Sequence, residues 1–181
     1  MEKQQTDPLP PFHAPETPAL WNNIALILLE KDLYASLFCL KRANYLSPLD
    51  TSILYNMGLV FFKLKQFVHS CNIFQAARQI QETSGIPKYN KLAVHCLLML
   101  GLSLWKVGDV KNSRRALNEA LKNCNKDAWV YTNYSLFEFH NGNEGNVAFK
   151  VVANWYGDSS IEYDKNIQVE CLRKMTSSLS V

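Results

Sequence analysis

From Leu20 to Met175 apolar residues recur at spacings of three and four with few interruptions, which predicts a chain built of helices. Four segments share one order: a large residue, two spacers, a large residue, a small one, two spacers, a large one. Trp21, Ile24, Ala25 and Leu28 form the first, Leu54, Met57, Gly58 and Phe61 the second, Leu97, Leu100, Gly101 and Leu104 the third. Tyr131, Tyr134, Ser135 and Glu138 form a weaker fourth. The small residue is expected where two helices approach so closely that a side chain would push them apart. Each segment is followed by a second helical stretch, at 33–45, 67–81, 110–123 and 147–156. Pro48 closes the first of these, and Gly108-Asp109 and Gly142-Asn143 mark tight turns within the third and fourth pairs.

The pairs are copies of one another. Ser36, Leu40 and Ala43 return 34 positions later as Ser70, Phe74 and Ala77. Gly101, Gly108, Ser113, Leu117 and Ala120 are followed at the same interval by Ser135, Gly142, Val147, Val151 and Asn154. A period of 34 with these offsets is the signature of tetratricopeptide (TPR) helix pairs, which stack into a curved solenoid and bind other proteins. The expected fold is all-α: a TPR solenoid of about four helix-turn-helix repeats with a C-terminal capping helix. The repeats are placed at 20–50, 51–90, 91–126 and 127–158. Trp21 to Leu54 is 33 residues, so the first repeat has lost one residue in its turn. Ala77 to Ala120 is 43, which places a nine-residue insertion in an exposed loop at 82–90 containing Gly85 and Pro87.

The ends read differently. Residues 1–19 hold five prolines and no periodicity, and are expected to be a disordered lead-in. Ser159 and Glu162 make a capping-box spacing before a last helix at 159–176, with Ile167, Cys171, Leu172 and Met175 on its apolar face and a tail at 177–181. The segment 24–29 is apolar all round, and such a helix is normally covered on every side.

Composition narrows the function. The chain of 181 residues is 48% hydrophobic and 19% charged, in the globular range, and its net charge of +3 gives no argument for nucleic acid. Lys111, Arg114 and Arg115 are the densest basic group and are offset by Asp109 and Glu119. No signal peptide is visible, and the longest apolar run, 92–105, is too short to span a bilayer. Five cysteines without CxxC spacing point to buried thiols in a reducing, cytoplasmic setting.

Candidate chemistry is sparse. His95-Cys96 has no second ligand pair at zinc spacing, no third group orients a Cys–His nucleophile, and Glu30, Glu119, Glu144 and Glu170 read as solvated positions. Phosphate-binding glycine loops are absent from the sequence. The expectation is a non-enzymatic scaffold with no cofactor and no metal. One residue after the repeated large positions lies the face that lines the inner curve of such a stack. Leu26, Tyr55, Phe62, Leu98, Trp105 and Phe139 are the candidate partner-binding residues there, with Leu59, Leu102 and Leu136 beside them. Large aromatics anchor interfaces, so Phe62 and Trp105 lead. A clamp for an acidic peptide terminus would need Lys, Arg and Asn on this face. Only Asn22, Lys63 and Lys106 are offered, which favours an apolar partner helix or subunit.

Three stretches carry a closer likeness: 20–24 (LWNNI), 39–48 (CLKRANYLSP) and 53–60 (ILYNMGLV), with 159–164 (SSIEYD) after the last repeat. From about Leu20 to Leu179 the chain resembles the C-terminal TPR repeats of the Bardet–Biedl syndrome 4 family of BBSome subunits. The resemblance implies a non-enzymatic subunit of a coat-like complex that carries membrane proteins to and from cilia. Its partners would be other BBSome subunits and ciliary cargo, with membranes met only through the complex. It also implies a place at the cilium, basal body or centrosome. Members of that family have many more repeats upstream. The alternative is a free-standing TPR adaptor or co-chaperone unrelated to cilia.

Overall fold

In the computed structural model the described residues are 16–84, 90–125 and 127–142. They form seven helices: α1 (Pro18–Leu28), α2 (Leu33–Leu46), α3 (Thr51–Lys63), α4 (Phe67–Thr83), α5 (Lys91–Val107), α6 (Val110–Asn123) and α7 (Ala128–His140). The chain folds as α1/α2, α3/α4 and α5/α6 hairpins, followed by α7, and each hairpin packs its second helix on the first helix of the next. This is the expected TPR stack, with α1, α3, α5 and α7 as the first helices. The second helix of the fourth pair, the C-terminal cap at 159–176, the tail and most of the N-terminal segment lie outside the described residues.

Short polar side chains start the helices. Thr17, Asp32, Asp50, Asn90, Asp109 and Asp127 each accept backbone N–H groups that the first turn leaves without helical partners. Helix α1 starts at Pro18, where a missing N–H costs nothing, two residues earlier than the sequence boundary at 20. The edge of the expected lead-in is therefore tied down: Thr17 caps α1, and Glu16 pairs with Arg42 of α2. In the turn of the second pair Lys65 adopts φ 58°, the place that Gly108 and Gly142 take at φ 97° and 77° in the third and fourth.

Each hairpin closes at its small residue. A Cβ on Gly58 would stand 2.7 Å from the Phe74 ring, and one on Gly101 2.7 Å from Leu117. The periodic serines then bond across the contact. Ser36 donates to the Ala25 carbonyl (2.8 Å), Ser70 to Gly58 (3.0 Å) and Ser113 to Gly101 (2.7 Å), all buried. The donor lies 11 residues after its acceptor in the first pair and 12 in the others, so the lost residue falls between them. Ser70 also meets Ser103 at 2.9 Å, and Ser103 donates back to the Met99 carbonyl, which links the second hairpin to the third.

The insertion differs from the expected loop. Helices α4 and α5 are 17 residues each, whereas α2 and α6 have 14 and α3 and α7 have 13. Glu82 and Thr83 of the expected loop are therefore helix and the connection begins at Ser84, while 85–89, with Gly85 and Pro87, lie outside the described residues. Gln81 and Glu82 stay in α4 because its apolar stripe continues through Ile80 against the core. The weak fourth template also has a physical account. Glu138, at a position where the other repeats carry Leu28, Phe61 and Leu104, is buried, and the Arg114 guanidinium grips it with two bonds of 3.0 and 3.1 Å. Arg114 is thus spent on α7 rather than offset by Asp109 or Glu119. Asp109 bonds Asn112, and Glu119 pairs with Arg78 of α4, so Glu119 is less solvated than its sequence context implied.

Two substitutions test this packing. Gly58→Val is expected to lower unfolding stability by about 2–3 kcal/mol, because overpacking against Phe74 outweighs the helix-propensity gain of under about 1 kcal/mol. Lys65→Gly is expected to raise stability by up to about 1 kcal/mol by relieving the left-handed backbone. Urea titration followed by circular dichroism reads both.

Candidate functional site

The first helices stand side by side and form the inner layer. Asn56 of α3 donates to Asn22 of α1 at 2.9 Å, and Lys63 reaches Glu30 at 2.7 Å. Between α5 and α7, His95 meets the Asp127 carboxylate at 2.8 Å and packs edge-on against Trp129, with 5.0 Å between ring centroids. Burial raises the Asp127 pKa, but the bond with His95 and the N–H groups of Trp129 and Val130 outweigh it and hold the carboxyl below its ordinary value. That contribution to stability is present above the ordinary aspartate range and is lost as pH falls through the lowered value.

Four of the six candidate residues lie partly open on this layer. Phe62 is braced edge-on by Phe67 of α4 at 5.3 Å. Trp105 is held by Phe137 at 5.5 Å and His140 at 5.4 Å, with the Lys106 ammonium 5.4 Å from its ring centroid. Phe139 packs against His140, and Tyr55 leans on Phe74. Burial, with Cys96 and Asp127 nearby, pushes the Tyr55 phenol up to about 12, so it is neutral at any ordinary pH. Leu26 is openly exposed at 44%. Leu98 is different: it is fully buried in the core and offers no surface to a partner. Leu102 and Leu136 are buried too. These leucines are packed into the core instead of lining a groove. What remains is a stripe at the C-terminal ends of the first helices: Leu29, Phe62, Trp105 and Phe139, one per repeat.

Sequence reasoning missed the His95–Asp127 link and the Arg114–Glu138 pair. Their spacings of 32 and 24 residues would have hinted at contacts between neighbouring repeats, but neither forms a periodic motif. The rim cations are also engaged, Lys63 with Glu30 and Lys106 with Trp105. Cys39, Cys71, Cys96 and Cys124 are all free thiols and buried. Burial raises the thiols of Cys39 and Cys71 and pushes Cys96 up to about 12. Among the described residues no group of His, Cys, Asp and Glu is arranged to hold a metal ion, and no helix is long and apolar enough to cross a membrane.

No protein-family profile matches the chain. Its sequence is 33% identical over 174 residues to BBSome complex member BBS4 of Mus musculus, covering 92% of this chain and 32% of that protein. The chain resembles BBS4. The Bos taurus BBS4 is 34% identical over 173 residues, covering 92% and 31%, and the Drosophila melanogaster BBS4 homolog is 27% identical over 135 residues, covering 71% and 26%. The chain spans about a third of the length of these BBS4 relatives. Solved structures agree on the fold. YrrB, described as a TPR protein with an unusual peptide-binding site, superimposes with a TM-score of 0.58 at 20% identity, over 75% of this chain and 66% of that one. The N-terminal domain of stress-induced protein-1 from C. elegans gives 0.57 at 16% identity, over 67% and 94%. At these identities they speak for the TPR architecture alone.

The buried thiols give a direct check. In native protein at mildly alkaline pH, Cys39, Cys71 and Cys96 are expected to resist iodoacetamide and to react fully once urea unfolds the chain. Peptide mass spectrometry reads each site, and fast alkylation of native Cys96 would contradict its packing.

Proposed function

We propose that the protein is a non-enzymatic TPR scaffold of the BBSome type, acting in ciliary membrane-protein trafficking and cilium assembly. The observation that carries this reading is the similarity to BBS4 across 92% of the chain, on a helical stack of the matching architecture. The fold class suits protein partners, and the likeness to BBS4 supports reading them as other BBSome subunits and ciliary cargo, with membranes reached through the complex, at the cilium, basal body or centrosome. The domain scheme of four repeats and a C-terminal cap belongs to the same proposal.

The contact surface we assign is the apolar stripe of Phe62, Trp105 and Phe139, flanked by Leu26 and Tyr55. Each aromatic ring is already held by a neighbour, so a partner meets an ordered surface and little side-chain entropy is lost on binding. Its cations are few and already engaged, which disfavours a carboxylate clamp and with it the co-chaperone alternative.

Affinity capture of the tagged full chain from ciliated cells tests the assignment. BBSome subunits are expected in the eluate of the wild-type chain. Recovery of only a heat-shock chaperone, abolished when that chaperone loses its C-terminal acidic residues, would instead establish the adaptor reading. The double variant Phe62→Ala/Trp105→Ala is expected to reduce recovered subunits about tenfold or more, as loss of two anchoring aromatics does. Its helical content by circular dichroism should be unchanged. Undiminished capture would remove this stripe as the contact surface.

A further inference from the structure

The junctions between successive hairpins can be compared at one pair of template positions. Leu37 of α2 and Phe61 of α3 hold these places at the first junction, Cys71 of α4 and Leu104 of α5 at the second, and Arg114 of α6 and Glu138 of α7 at the third. The first four residues belong to the apolar core or pack against it. Among the described residues only the third pair is charged: the Arg114 guanidinium meets both oxygens of the buried Glu138, at 3.0 and 3.1 Å. A buried ion pair is commonly no more stable than apolar residues of similar volume, so stability alone does not account for the exchange. What the pair adds is direction. A guanidinium fork accepts a carboxylate in one orientation, whereas apolar burial is non-directional.

That direction reaches the contact stripe. Phe62 is braced by Phe67 within its own hairpin. In the third hairpin the place of Phe67 is taken by Val110, and Trp105 draws its bracing from α7 instead, with Phe137 edge-on at 5.5 Å and His140 at 5.4 Å. Phe137 precedes Glu138 in the chain, and the Arg114 guanidinium lies 5.5 Å from the centre of its ring. One arginine therefore touches both the carboxylate that fixes α7 and the ring that holds Trp105. The His95–Asp127 bond secures the opposite end of α7, so Arg114 acts on the last turn, where Phe137 and His140 lie. We propose that Arg114, through its fork on Glu138, is a positioning residue for the partner-binding surface: it sets the rotation of α7 and thereby the pose of the Trp105 ring. The proposal rests on the assignment of Trp105 to the contact stripe and names what keeps that ring in place for a partner.

The test removes the charges without emptying the core. Arg114→Leu/Glu138→Leu gives the third junction the kind of residue that Leu37 and Leu104 supply at the others, and the full chain is expected to unfold at the same or higher urea. The pose of Trp105 is read by fluorine NMR of the chain labelled with fluorotryptophan, its resonance assigned through Trp105→Phe. That resonance is expected to shift in the double variant, while the resonance of Trp21 in the first hairpin stays in place. Capture of BBSome subunits from ciliated cells should fall about fivefold or more, as misplacing an anchoring aromatic does. Arg114→Lys keeps the charge but not the fork, and is expected to move the Trp105 resonance as well. A Trp105 resonance unchanged in both variants overturns the proposal, and that readout needs no partner. Undiminished capture by the double variant, where Phe62→Ala/Trp105→Ala does lower it, also overturns the proposal. If neither double variant lowers capture, the stripe assignment itself has failed, and the role of Arg114 in binding falls with it.

Discussion

The structure depends on one close contact, repeated in each hairpin. Where Gly58 and Gly101 face the second helix, the absence of a side chain lets Phe74 and Leu117 seat against bare backbone, and the fully buried Ala25 holds the same place in the first hairpin. The neighbouring serine hydroxyl then bonds the carbonyl of that same small residue. A buried hydroxyl left without a partner would cost more than the bond contributes, so the serine and the small residue specify each other's position. The hairpin angle set there decides where the next hairpin lands. Everything else, including which residues reach the inner face, follows from stacking that unit.

Stacking also creates the conditions for function. Neighbouring first helices need something between them, and the repeats solve this in two ways. On the α1–α3 side polar side chains bridge the gap, Asn22 with Asn56 and Glu30 with Lys63. Toward α5 and α7 the His95–Asp127 bond is joined by leucines, and Leu98, Leu102 and Leu136 disappear from the surface. Aromatic side chains at the helix ends are too long to be swallowed by the same packing. Phe62, Trp105 and Phe139 stay partly open, the first two steadied by a ring from a neighbouring helix and Phe139 by the adjacent His140. An apolar stripe that is ordered before binding is what a scaffold in a stable assembly would present.

The first and last described helices differ in how they meet the core. At α7 a carboxylate stands in the core, and Arg114 neutralises it with a two-bond fork that a lysine could not reproduce. At α1, Leu20 and Ile27 are apolar and exposed among the described residues.

The sequence by itself determined the helices, their pairing, the small-residue contacts and the period, because these depend on local spacing and on steric size at fixed offsets. It also carried the BBS4 resemblance, which rests on residue identity and needs no coordinates. The tertiary structure decided the rest. Leu26 and Leu102 occupy equivalent positions, yet one is open and the other buried, because only the packing of neighbouring helices sets their exposure. The loop expected at 82–90 starts two residues late, since α4 keeps one face against the core through Ile80 and runs on to Thr83. His95 finds Asp127 and Arg114 finds Glu138 only after the hairpins are superposed, because the superhelical turn from one repeat to the next is a sum of small packing angles that no single residue encodes.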